Sequence, residues 1–150
     1  MASRSLSDLD SRFRPLAQQV IDACHAVSVP VTVITTLRSL AEQKSAIAHH
    51  VSWTLKGMHL PQPPEGKSLA IDLCPTELLI LAARLGATDY EKDWSPMHSD
   101  WWIIARAGVS LGLRSGMDWR GVGLPLVGVV RPDWDPGHIE YIVPSAVKVA

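Results

Sequence analysis

One acidic residue stands inside the most strand-like stretch of this chain. Leu69, Ile71 and Leu73 alternate with Ala70, Asp72 and Cys74, a period of two that fits a strand with one face turned to a core. An ionised carboxylate in such a place is costly to bury without a partner. A bound cation removes that cost, and so does a cationic side chain such as Arg38; the residues leave both solutions open. The strand is entered through Lys56 to Lys67, KGMHLPQPPEGK, where three prolines and two glycines forbid regular structure and stiffen an extended loop carrying His59.

The flanking segments predict a mixed fold. Pro15 can open a helix whose face repeats Leu16, Val20, Cys24 and Val27 until Pro30 stops it. Val31 to Thr36 is β-branched, and Ser39 and Glu42 then stand at capping-box spacing before a second helix reaching about His50, so that Arg38 lies at a strand-to-helix junction. Thr76 is placed to cap a third helix on which Leu78, Leu79, Ile80, Leu81 and Leu85 wrap most of the circumference, the pattern of a central, widely covered helix. Ser95 and Pro96 predict the start of a fourth, carrying Trp101, Trp102, Ile104 and Ala105 and ending near Gly108 or Gly112. Glycines and prolines punctuate the chain beyond it, and His138 to Val143 alternates as a last strand. With no internal repeat, residues 1–150 read as one α+β domain.

Composition narrows the functions. At 47% hydrophobic and 19% charged residues the chain is that of a globular protein. Lys+Arg 14 against Asp+Glu 15 leaves a net charge of −1 and no basic field for a polyanion, so a nucleic-acid partner is not expected. Leu78 to Ala83 is cut by Arg84, and Trp101 to Ala105 by Arg106, far short of the ~18–20 apolar residues of a membrane span. Arg4, Asp8, Asp10, Arg12 and Arg14 interrupt the first twenty residues, which predicts no secretory signal and synthesis that ends in a cytoplasm. Cys24 and Cys74 lack the spacing of a metal knuckle and read as free buried thiols.

The C-terminal DWDPGHIEY places Asp135 and His138 three residues apart around a Pro-Gly turn, with Glu140 two beyond the histidine on the same side of a strand. His59, Asp72 and His138 together would make a two-histidine, one-carboxylate set suited to zinc with a position left for water, and Asp135 would be the spare carboxylate that moves a proton. Glu140 would then orient a ligand histidine or Arg38. His49 and His50 read as a solvated helix end, and His25 and His98 have no partner pattern. Trp53, Trp101 and Trp102 read as core, whereas Trp119 and Trp134 flank the site and fit a cleft wall as well as a core.

TTLRSLAEQ, HLPQPPEGKSLAIDLCP, LGLRSGMDW and DPGHIEY together resemble the zinc peptidases of the D-alanyl-D-alanine carboxypeptidase and dipeptidase type, most closely their phage branch of L-alanyl-D-glutamate endopeptidases acting as endolysins. The resemblance covers nearly the whole chain. It implies an α+β, hedgehog-like fold: a small, mainly antiparallel sheet carrying the metal site on one face, with helices covering the other. It implies zinc on His59, Asp72 and His138, a general base at Asp135, an anchoring or oxyanion-stabilising Arg38, and a structural Gln43. The implied partner is the stem peptide of bacterial peptidoglycan, cut by a monomer that waits in the host cytoplasm and acts on the wall in the periplasm during phage lysis, an antimicrobial activity. A D-alanyl-D-alanine carboxypeptidase or dipeptidase would use the same residues. A non-catalytic zinc-stabilised wall-binding module would not need Asp135. Two departures from the family pattern stand out. His59 is thirteen residues ahead of Asp72 where many relatives have seven, a count that lands on Glu65 as an alternative ligand, and Ser115, Gly116 and Met117 stand before Asp118 and Trp119 where relatives often show a Trp-Gly-Gly run.

Overall fold

The computed structural model describes residues 2–48, 57–84, 99–125 and 134–144. After a short 3-10 turn at Leu6–Asp8 come α1 (Arg14–Ala26), β1 (Val31–Thr35), α2 (Leu40–Ala48), β2 (Ala70–Pro75), α3 (Thr76–Arg84), α4 (Asp100–Ser110), β3 (Arg114–Ser115) and β4 (His138–Glu140). The strands form one sheet in the order β1-β2-β4-β3, with every neighbouring pair antiparallel. This is the expected α+β class with a small antiparallel sheet.

Register decides what each sheet face carries. Ile71 lies opposite Ile139, and Asp72 lies opposite His138. Since alternate strand residues face opposite ways, Ile71, Leu73 and Ile139 share one face while Asp72, His138 and Glu140 share the other. Helices α1 and α4 cover the apolar face, where Phe13, Ala17, Val20, Trp101, Trp102 and Ile104 are buried with those strand residues. Gly108 stays within α4 with its Cα against Ile139, and the helix ends at Ser110.

Local chemistry explains the elements. The capping box forms: Glu42 N donates to Ser39 Oγ at 3.1 Å and Ser39 N to Glu42 Oε1 at 2.9 Å, satisfying two otherwise unpaired donors at the start of α2. Thr76 Oγ1 bonds Thr32 Oγ1 at 2.8 Å and ties α3 to β1. Both cysteines are free and buried, and burial pushes their thiols up to about 11 for Cys24 and about 12 for Cys74.

Several expectations need correcting. The buried stripe of α1 is Ala17, Val20 and Cys24, whereas Val27 sits past the last turn and is 59% exposed. Helix α3 buries Leu78 and Ala82 but leaves Ile80 and Leu81 about half exposed, because one stripe suffices to seat it and the remaining leucines exceed what that contact covers. The last strand stops at Glu140 rather than Val143: β3 offers two residues and β2 begins at Ala70, opposite Glu140, so beyond it only Tyr141 N bonds across, to Leu69 O at 2.8 Å. The loop before β2 folds back on itself through Gln62 N to Lys67 O and Gly66 N to Gln62 O instead of running extended. His49, His50, Trp53, Lys56, Leu85, Ser95, Pro96 and His98 lie outside the described residues.

Asp10 is a fully buried carboxylate that the sequence reading passed over. It accepts from Arg12 N at 2.9 Å, Arg12 Nε at 2.9 Å and Arg12 Nη2 at 3.0 Å, and the Arg12 guanidinium holds it below the usual carboxylate range. A group of this kind stabilises the fold above the ordinary carboxylate pKa of about 4 and loses that contribution as pH falls through its lower folded value. Asp10→Ala is expected to cost about 1 kcal/mol at pH 7. In urea melts the gap between parent and variant should close as pH falls below the ordinary carboxylate pKa of about 4; a constant gap would show that the carboxylate charge is not involved.

Gly137 stands where β4 meets β2, its backbone against the Leu73 carbonyl that a Cβ would strike. Leu73 N also donates to Gly137 O at 2.9 Å, so neither strand can draw back without losing that bond. Gly137→Ala is expected to cost about 1–3 kcal/mol through forced backbone movement, read as a lower thermal midpoint; an unchanged midpoint would mean the two strands have slack.

Candidate metal centre

Three elements bring the site together. The β2–β4 register sets Asp72 beside His138. The stretch after β1 holds the third residue: Arg38 N donates to His59 O at 2.8 Å, while Leu69 N donates to Met58 O at 3.0 Å, so the proline-rich loop is pinned at His59 and at the residue before it. His59 Nδ1 lies 2.7 Å from Thr36 O, and a backbone carbonyl can only accept, so the ring proton sits on Nδ1 and Nε2 is left with its lone pair.

That lone pair points at Asp72. His59 Nε2 and His138 Nδ1 each lie 3.1 Å from Asp72 Oδ1, and the potential ligand atoms of the three residues all fall within 4.8 Å of one another. Yet His59 Nε2 makes no aligned hydrogen bond although it is buried. A buried nitrogen turned toward a carboxylate and another imidazole nitrogen, without a shared proton in line, is what a cation between them would satisfy. Two imidazoles, each neutral once it gives a lone pair to an ion, and one carboxylate match the donor chemistry of zinc and similar divalent ions. The cluster could therefore hold a metal ion.

The two answers to the Asp72 problem both occur, on different oxygens. Oδ1 faces the histidines, and Oδ2 lies 3.6 Å from Arg38 Nη2. Arg38 Nη1 in turn donates to Gln43 Oε1 at 3.3 Å, with Gln43 itself buried. Burial opposes ionisation of Asp72, but His59 and His138 outweigh it and hold the carboxyl well below its ordinary range. For His138, burial opposes charging, while hydrogen bonds to Asp72 and Glu140 carry the imidazole up to about 10.

Asp135 borders the cluster. Its Oδ2 is 3.9 Å from His138 Nδ1 and its side chain is one-third exposed. Burial and the nearby Asp72 carboxylate push it up to about 6. Gly116 makes this approach possible: a Cβ there would strike the Asp135 carbonyl, while Asp135 N donates to Gly116 O and Gly116 N to His138 O, both at 2.8 Å.

Glu140 accepts from His138 Nε2 at 2.8 Å and meets Arg114, not Arg38, with its other oxygen at 3.2 Å. Glu65 lies away from the cluster, accepting hydrogen bonds from Ser11. His25 is exposed on α1. Trp101 and Trp102 are core. The Trp119 ring lies 5.0 Å from the His138 ring, centroid to centroid, so this tryptophan belongs to the site, whereas Trp134 packs edge-on against Trp102. The sequence reading missed Thr36, whose backbone sets the His59 tautomer, and Arg114. A backbone acceptor leaves no mark in a sequence, and a strand of two residues is too short to show which face Arg114 takes.

No protein-family model matches the chain, and no curated protein matches it. Among solved structures, the crystal structure of Serratia marcescens L-Ala D-Glu endopeptidase ChiX is similar over 95% of this chain and 89% of that one, at 20% sequence identity and a TM-score of 0.48.

Proposed function

We propose that this chain is a zinc-dependent peptidase of the bacterial cell wall that hydrolyses the L-alanyl-D-glutamate bond of the peptidoglycan stem peptide. The observation that carries the reading is the convergence of His59 Nε2, Asp72 Oδ1 and His138 Nδ1 with the Asp135 carboxylate beside them. The motif resemblance supplies the choice of bond and of zinc. It also extends the proposal to a phage lysis enzyme, active as a monomer, that waits in the host cytoplasm and acts on the wall in the periplasm, with residues 1–150 as its catalytic domain.

His59, Asp72 and His138 would hold the ion, which when bound supplies Lewis-acid polarisation of the scissile carbonyl and of water. Asp135, with a proton affinity raised toward neutrality, takes the proton of the attacking water and returns it to the leaving amine. Arg38, fixed between Asp72 and Gln43, offers its cationic edge to negative charge developing on the carbonyl oxygen. Trp119 forms an apolar wall beside His138 against which the peptide can lie.

Mass spectrometry of purified Gram-negative peptidoglycan after incubation with the zinc-loaded protein tests the reading. Stem peptides with a new D-glutamate amino terminus are the expected product. Loss of a terminal D-alanine would replace the endopeptidase by a carboxypeptidase, and an untouched wall would reject the enzyme reading.

Two variants separate the roles. Asp135→Ala should lower turnover by about a hundredfold or more while zinc content stays at the parent level, because a general base is not a ligand. His138→Ala should lose metal and activity together. Full turnover by the first variant, or full zinc in the second, would show that the roles are assigned to the wrong residues.

A further inference from the structure

Arg114 has no part in the steps above, yet an unbroken hydrogen-bonded chain joins it to the cluster. The β3–β4 register sets Arg114 opposite Glu140, so both side chains stand on the sheet face that carries Asp72 and His138. Arg114 Nη1 donates to Glu140 Oε2 at 3.2 Å, and Glu140 Oε1 accepts from His138 Nε2 at 2.8 Å. The carboxylate is thus divided between a cation on one oxygen and the imidazole on the other. Glu140 is 9% exposed, so protein atoms rather than bulk water set its orientation, while Arg114 is 38% exposed and reaches it from the rim.

The consequence falls on His138. With an ion in the cluster, an imidazole whose Nε2 proton is held by a carboxylate gives up its Nδ1 proton and presents that lone pair, and here Nδ1 faces Asp72 and Asp135. If Glu140 swung away, the ring could turn over or change tautomer, and Nδ1 would carry a proton where a ligand needs a lone pair. We infer that Arg114 is a positioning residue of the metal centre: through Glu140 it fixes the ring orientation and tautomer of His138 so that Nδ1 faces the ion. The inference rests on the metal-binding part of the proposed function and is independent of which peptide bond is cut.

Zinc affinity, measured against a chromophoric chelator with no substrate present, tests it in the parent, Arg114→Gln, Arg114→Lys, Glu140→Gln and the double variant Arg114→Gln/Glu140→Gln. Arg114→Gln should weaken zinc binding by about ten- to a hundredfold, the range for groups that orient a ligand histidine. Arg114→Lys keeps a cation beside Glu140 and should recover most of that loss. The double variant should bind no more weakly than Glu140→Gln alone, because both changes break the same chain. Long-range proton–nitrogen NMR of the zinc-loaded parent should show His138 protonated on Nε2, with a mixed signal in Arg114→Gln. Parent-like zinc affinity in Arg114→Gln, or losses that multiply in the double variant, would overturn the inference. A parent that fails to bind zinc would overturn both this inference and the metal reading beneath it. A parent that binds zinc and leaves peptidoglycan intact would overturn the proposed activity alone.

Discussion

Asp72 is a carboxylate in a strand position whose neighbours along the chain are all buried, and its two oxygens set the demands that the surrounding residues meet. Oδ2 is met by Arg38, which ties the β1-to-α2 connection to the middle of the sheet. Oδ1 is met by two imidazoles, one arriving on a loop and one on the neighbouring strand. Hydrogen bonds then fix each imidazole from behind: Thr36 O holds His59 Nδ1, and Glu140 holds His138 Nε2. The histidines therefore present opposite ring nitrogens to the same point, because their backbones approach it from different directions and each outer nitrogen is already engaged.

Much of this arrangement was legible from residue pattern. The alternation around Asp72, the capping box at Ser39 and Glu42 and the turn between Asp135 and His138 are local, and local rules describe them correctly. His59 was harder, since the loop before the strand is longer than the family pattern; the structure brings His59 to Asp72 and leaves Glu65 with Ser11. What stayed hidden depends on pairing between distant segments. The register that sets Arg114 against Glu140 and ends β4 early is a property of three strands at once, and none of them announces its partner. Helix α3 shows the converse failure: its leucines suggested burial on several sides, but hydrophobicity states only what could be buried and not how much neighbouring surface exists to cover it.

Residues 2–11 matter to the site without contributing an atom to it. Ser3 N and O bond Leu37 O and Thr36 N, flanking the carbonyl that holds His59. Asp8 and Asp10 exchange backbone hydrogen bonds with Ser68 at the entrance to β2, Lys67 Nζ reaches Ser7 O, and Ser11 holds Glu65. The segment so attached joins the stretch after β1 to the C-terminal part of the proline-rich loop. A loop that must deliver one imidazole to a fixed point cannot rely on proline stiffness alone, because stiffness sets a local path and not an attachment. The N-terminal bonds supply the attachment, which gives the buried Asp10 and its Arg12 partner a functional reason as well as a stabilising one.

The opposite half of the site is fixed by close backbone approach instead. Gly137 brings β4 against the Leu73 carbonyl, and Gly116 brings the next turn against Asp135, each at a separation that any side chain would prevent. Between these two contacts lie Asp135 and His138, the residues proposed to move a proton and to hold the ion. Their separation is determined by peptide geometry and four backbone hydrogen bonds, with few freely rotating bonds between them. A carboxylate that must reach water beside a metal without becoming its ligand needs that restraint: a shorter approach would let Asp135 coordinate the ion and lose its proton affinity, and a longer one would remove it from the reacting water. Two glycines, through what they lack, thus set the distance on which the proposed chemistry depends.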